Sequence, residues 1–311
     1  MNKERYYKPE YKGSERDCYS IADLPFIIEN ELVVYGLATS YSKVKGLTVS
    51  LNCKEKHIDI TIPNDLIESN GKIFSDTLIG KYIGFVLTDE KTGNRKRAQE
   101  LCQEEYVSKL HKGDVINACI ASKQPYGIFC DIGCGIVALL HSTKISVIRV
   151  DDCRTVFKNT TNIRAVVNEI NEDGKIQLSM REILGTWQEE TDYILENSEV
   201  LIGEVLAVEE YGAFVALTQN LVGLAEPVDF PISRGDAVAV RITKVNPDKS
   251  KVKLLITSRL DNCTDEVKSP LNNKYRYYAN VGDRIEYWNY NERCQGNEAK
   301  GLITDFRDKE A

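Results

Sequence analysis

The sequence contains no apolar run approaching the roughly 18 residues that cross a bilayer as a helix, so no membrane span is expected. The opening stretch MNKERYYKPEYKGSERD has no hydrophobic segment after its basic residues, so no secretory leader is expected and the cytoplasm is the expected compartment. CxxC pairs are missing, although the chain has nine cysteines. Cys102, Cys119 and Cys130 sit inside apolar runs, which reads as reduced, buried thiols rather than a disulfide framework. The spacing of Cys130, Cys134 and His141 matches no common zinc pattern, so no metal site is expected. There is no Gly-rich phosphate loop, no HExxH and no GxSxG. The paired acids Asp151-Asp152, Glu189-Glu190 and Glu209-Glu210 are adjacent, so on a strand or helix they point apart. A nuclease centre would instead need carboxylates converging from distant strands. Neither an enzyme nor a cofactor is expected. An excess of positive charge is also lacking: the formal net charge is −7. That argues against a polyanion binder working by bulk charge, but not against local recognition of single strands by stacking.

What the chain does have is a repeated β pattern. A length of 311 residues with 42% hydrophobic content suits two or three small soluble domains. YGIF at Tyr126–Phe129 and YGAF at Tyr211–Phe214 stand 85 residues apart (211 − 126). Each follows a β-like run and precedes a short apolar segment, the mark of tandem β modules. Two aromatics beside a glycine on a strand suggest a surface that stacks flat ligands, with nucleic-acid bases the leading candidates.

Five strands are expected in each of the two clearest modules. In the first of these, Ile163, Ala165 and Val167 alternate with Arg164, Val166 and Asn168, as on a half-buried strand, and Asn171-Glu172-Asp173-Gly174 closes a hairpin. In the next, Val238, Val240 and Ile242 alternate with Ala239, Arg241 and Thr243, and Asn246-Pro247-Asp248-Lys249 is the matching turn. Five short strands in so few residues suggest small closed barrels. A β pattern also runs from Leu32 to about Arg97, followed by a short amphipathic helix with Leu101, Tyr106 and Leu110 as inward positions. A second linker helix, broken near Gly185, precedes the last module. The expected organisation is a flexible or peripheral arm (1–25), a degenerate module with its helix (26–111), a second module (112–184), a linker helix and third module (185–262), and an aromatic-rich extension (263–311). In that extension Tyr275, Tyr277, Tyr278, Tyr287, Trp288 and Tyr290 form either a stacking surface or, preferably, a β edge packed on the third module. Arg95-Lys96-Arg97 reads as a solvated turn and helix start, with a phosphate contact as the alternative, and His57 and His111 as surface residues.

The order of these signals resembles the S1 domain, a five-stranded barrel of the oligonucleotide-binding type. The matching residues are YGIF, ALLHS, NEINEDGKI and LSMR in the second module, and YGAF, GLAEP, RGDAVAVRITKVN and ITSR in the third. The resemblance implies a mostly β chain of tandem OB-fold barrels joined by short helices. It also implies one RNA-facing patch per barrel: Tyr126, Phe129, His141, Asn171 and Lys175 in the second, and Tyr211, Phe214, Asn246 and Lys251 in the third. Rings would stack on bases, lysines would neutralise phosphate, and amide or imidazole groups would bond to base and sugar edges. Glu226 stands where His141 would recur (226 − 141 = 85), which weakens the third patch. KGLTVSL at Lys45–Leu51 aligns with YGAFVAL, so Lys45 and Thr48 replace both rings and the first module has no stacking face.

The expected function is therefore binding of single-stranded RNA, or single-stranded DNA, by a bacterial-type protein of translation or RNA metabolism, with the second module carrying the main site. The alternative is a protein-interaction adaptor that docks on a ribosomal, transcriptional or mobile-element complex.

Overall fold

The computed structural model describes residues 7–11, 17–68, 75–158, 160–260, 275–294 and 302–307. Parts of the expected arm and much of the C-terminal extension therefore lie outside the described residues. The chain forms two compact units. One comprises residues 1–110 with 117–121 and 130–138, and the other 111–116, 122–129 and 139–311. Among the described residues no helix is long and apolar enough to cross a membrane.

The architecture is mostly β, with three five-stranded sheets of one topology. The first sheet has β1 (Val33–Ser42), β2 (Gly46–Asn52), β3 (His57–Ile62), β4 (Tyr82–Leu87) and β5 (Gly93–Asn94) in the order β3-β2-β1-β4-β5. Its seam is closed by a single parallel bridge, Thr61 to Thr92. The second is a closed barrel of β6 (Val115–Gln124), β7 (Gly127–Gly133), β8 (Ile136–His141), β9 (Asn162–Ile170) and β10 (Ile176–Ser179). There β8 and β10 run parallel, with Leu139 opposite Gln177. The third barrel closes in the same way. Its strands are β11 (Leu201–Glu209), β12 (Gly212–Ala216), β13 (Val222–Ala225), β14 (Ala237–Asn246) and β15 (Lys251–Arg259), and Leu224 sits opposite Lys253 across the parallel seam.

Period-2 patterning sets which face goes inward. Along β15 Val252, Leu254 and Ile256 are buried while Lys251, Lys253 and Leu255 are exposed. On β9 Ile163, Ala165 and Val167 are buried as the alternation predicts, but Val166 is buried too. Its outward face is covered by Val115, Ile183 and Phe306, with Tyr277 and Ile285 packed alongside. The extension thus supplies a second layer that one strand's alternation does not foresee. It also forms β16 (Tyr287–Asn289) and β17 (Ile303–Asp305), and Trp288 and Tyr290 enter the core of the third barrel. Burial takes those two rings out of any stacking surface.

The helix Arg95–Glu105 begins at Asn94, whose side chain accepts the Arg97 amide. The helix Trp187–Asn197 begins with a capping box between Thr186 and Glu189, beyond the break at Gly185. Cys102, Cys119 and Cys130 are buried and unpaired.

One sequence expectation is corrected here. Arg95 is not solvated: its side chain is 2% exposed and its guanidinium donates through Nε and Nη2 to both carboxylate oxygens of Glu10, at 2.8 and 2.9 Å. Glu68 pairs with Nη1 at 2.6 Å. The Glu10 amide donates to Asp131 at 2.9 Å, so a residue of the expected arm is fixed in a buried charge cluster. Burying a guanidinium is tolerable only with such paired, hydrogen-bonded partners. The run Arg95-Lys96-Arg97 lacks any periodicity that could reveal this.

Candidate nucleic-acid interface

The glycine of each YGxF motif has a backbone reason to be there. A Cβ at Gly212 (φ +146°) would stand 2.1 Å from the carbonyl oxygen of Ala225, and one at Gly127 would stand 2.8 Å from that of Leu140. Strands two and three of each barrel therefore approach closely at this point. The flanking aromatics are set by that turn. Tyr126 and Phe129 meet edge to face, with centroids 6.5 Å apart and planes at 90°. Tyr211 and Phe214 repeat the arrangement at 6.3 Å and 88°. Tyr126 is 51% and Tyr211 63% exposed, while both phenylalanines are half-buried. Exposed tyrosines braced on half-buried phenylalanines leave ring faces open to a flat ligand.

His141 ends β8. Its Nδ1 accepts the Thr143 amide at 3.3 Å, an arrangement that leaves Nε2–H free to donate. Asn171 and Lys175 bracket the β9–β10 turn, where the Asn171 amide donates to the Lys175 carbonyl at 2.9 Å. The Lys175 ammonium lies 3.3 Å from Asp173, both exposed. Two further lysines of this barrel are tied down: Lys144 donates to Asn168 at 3.2 Å, and Lys123 to the Phe157 carbonyl. Burial lowers the pKa of both.

The third barrel distributes charge differently. Register places Ala207, Phe214, Leu224, Lys253 and Lys244 in one row across five strands. Lys251 lies opposite Asn246 at the far end of the β14–β15 hairpin. Among the described residues no ion pair holds Lys244, Lys251 or Lys253. In the second barrel the row through Leu139 instead carries Gln177 and Glu169. Lys244 and Lys253 escape a reading of the sequence by motif. The parallel pairing of strands three and five puts them on the row of Phe214, with Leu224 between, and only the register reveals it. Glu226, the counterpart of His141, is exposed.

In the first sheet the corresponding row is Ser40, Thr48, Thr61 and Thr92. Three threonines fill the places where the third barrel has phenylalanine, leucine and lysine. This face offers hydroxyls and no rings. His57 and His111 are exposed. Among the described residues no group of three or more His, Cys, Asp or Glu is arranged to hold a metal ion.

Comparison with known proteins finds a family model that matches part of the chain and several relatives. Residues 109–181 match the S1 RNA binding domain. The chain is 30% identical over 171 residues to small ribosomal subunit protein bS1 of Leuconostoc lactis, covering 50% of this chain and 39% of that protein. It is 26% identical over 257 residues to small ribosomal subunit protein bS1 of Rhodopseudomonas palustris, covering 75% of this chain and 44% of that one. It is also 25% identical over 246 residues to 4-hydroxy-3-methylbut-2-enyl diphosphate reductase of Clostridium acetobutylicum, covering 74% of this chain and 37% of that enzyme. The chain thus spans less than half the length of each of these relatives.

Proposed function

The chain is an S1-domain family protein, and on that premise we propose that it binds single-stranded RNA through the aromatic faces of its second and third barrels. The observation that carries this reading is the matched edge-to-face pair, Tyr126 with Phe129 and Tyr211 with Phe214, each exposing one ring. Bases stack on the rings, which suits sequence-tolerant recognition. His141 and Asn171 supply hydrogen bonds to base or sugar edges in the second barrel, and Lys175 approaches phosphate. In the third barrel Asn246 and Lys251 take the equivalent places, and Lys244 and Lys253 add cations on a row where the second barrel has Glu169 and Gln177. The second barrel thus adds an imidazole and the third adds Lys244 and Lys253, so the site of the second barrel does not act alone. The net charge of −7 confines this attraction to the local face.

The relatives named small ribosomal subunit proteins make the ribosome the proposed partner and translation the proposed process. Fluorescence anisotropy with short single-stranded RNA, single-stranded DNA and duplex RNA of equal length tests the reading. Tight binding of single strands that weakens with salt, and weak binding of duplex, is expected. Equal affinity for duplex would refute base stacking, because paired bases have no free faces.

A further inference from the structure

A groove of about 740 Å³ opens beside Tyr126 and His141. Tyr126, His141, Ser146, Val147, Arg149 and Leu302 are among the residues that line it. The volume lies within the range of about 300–1,000 Å³ typical of small-ligand sites. Residues 142–151, at the start of the connection from β8 to β9, supply most of its lining.

That segment is rigidly held. Asn220, fully buried, accepts the Val147 amide at 3.1 Å through Oδ1 and donates through Nδ2 to the carbonyls of Arg181 and Gly185, at 3.0 and 2.8 Å. Ser146 Oγ donates to the Gln219 carbonyl. On the outer wall Asp151 pairs with both Arg149, at 2.8 Å, and Arg234. The Arg149 side chain is 91% exposed, and Asp151 holds it at the mouth through Nε alone. A guanidinium has five donors in a fork that suits phosphate oxygens, and four of these are left.

We propose that this groove is a nucleotide subsite. It receives the nucleotide next to the one stacked on Tyr126, with its phosphate on Arg149 and its base against the Tyr126 edge and Val147. His141, Ser142 and Thr143 line the same groove, and the Nε2–H of His141 and the Ser142 hydroxyl are groups that can bond to sugar or base edges. The proposal rests on the reading that Tyr126 and Phe129 stack RNA bases. It adds that the strand runs from those rings over the β8–β9 connection rather than away from it. The ligand is a nucleotide within a strand, since one guanidinium and an open mouth hold a free nucleotide weakly.

The test uses the full chain, labelled oligo-uridine of increasing length, and the variants Arg149→Gln and Phe129→Ala. For Arg149→Gln we expect weaker binding and a slope of log K against log salt reduced by about 0.7, the value for one phosphate contact on a single strand. A 4-thiouridine strand should crosslink to residues 142–149 in the unsubstituted chain and lose that crosslink with excess unlabelled strand. If Phe129→Ala weakens binding while Arg149→Gln changes neither slope nor crosslink, the groove proposal fails and the stacking site stands. If Phe129→Ala has no effect while Arg149→Gln lowers the slope and the crosslink persists, the stacking site fails, and the groove as the place beside a stacked base fails with it, leaving Arg149 as a phosphate contact of a different strand path. Uridine monophosphate displacing the strand at equal concentration would show a free-nucleotide site and overturn the proposal.

Discussion

Tyr126 stands perpendicular to Phe129, centroids 6.5 Å apart, and keeps half its surface in solvent. Truncating the exposed ring removes a stacking face while leaving the barrel core whole. Tyr126→Ala is expected to weaken single-strand binding by about 1–3 kcal/mol, read by anisotropy. Unfolding in urea should shift by no more than about 0.5 kcal/mol, as for a surface substitution. A large stability loss with unchanged binding would make Tyr126 a structural cover.

Lys253 and Lys244 sit on the row of Phe214. Lys253→Gln and Lys244→Gln should each lower the salt slope of RNA binding by about 0.7. The converse change, Gln177→Lys on the second barrel, should raise it by a similar amount. A slope that ignores all three changes would take the strand path off this face.

Gly212 is held in the left-handed region with Ala225 O at its back. Gly212→Ala should cost about 1–3 kcal/mol in urea unfolding. Gly127→Ala, which meets Leu140 O from 2.8 Å and lacks the positive φ, should cost less. The reverse order would mean that the strand approach is not what the glycine serves.

Arg95 balances Glu10 and Glu68 inside the first unit. Arg95→Met leaves two carboxylates without their cation and should cost about 3–5 kcal/mol. Lys96→Met, its neighbour in the same basic run, should stay within about 0.5 kcal/mol.

Asp131 in that cluster is pushed up from 3.8 to about 8, first by burial and then by the nearby Glu10 carboxylate. The folded state therefore holds this proton more tightly than the unfolded chain. Its stabilising contribution is full below about pH 4 and is lost as pH rises through about 8. Thermal midpoints should fall across pH 5–8.5, and Asp131→Asn should flatten that fall even if it lowers stability throughout. A midpoint rising over this window would mean that the backbone bonds from Gly133 and Gly135 keep the carboxylate charged.

Much of the fold can be read from the chain because barrel strands alternate with period 2 and their turns carry Asn, Asp and Gly. Ile163, Ala165 and Val167 fell inward for that reason, and the YGxF spacing located both second strands. Local pattern could not reveal pairing between elements far apart in sequence. Val166 is covered from beyond residue 270, Arg95 meets a carboxylate 85 residues away (95 − 10), and Lys253 reaches the row of Phe214 through a parallel seam. The rings and imidazole of the candidate site are visible in the motif. Lys175 and Lys251 are visible there too, while Lys244 and Lys253 are visible only in the register.

The central claim is that the two exposed tyrosines stack RNA bases. The most direct test is anisotropy of a labelled 12-nucleotide single-stranded RNA with the double variant Tyr126→Ala/Tyr211→Ala, whose fold is first verified by circular dichroism. The predicted result is a loss of about 10²-fold or more in affinity with little change in salt slope, since rings and not charges were removed. Unchanged affinity in a folded double variant would contradict the account.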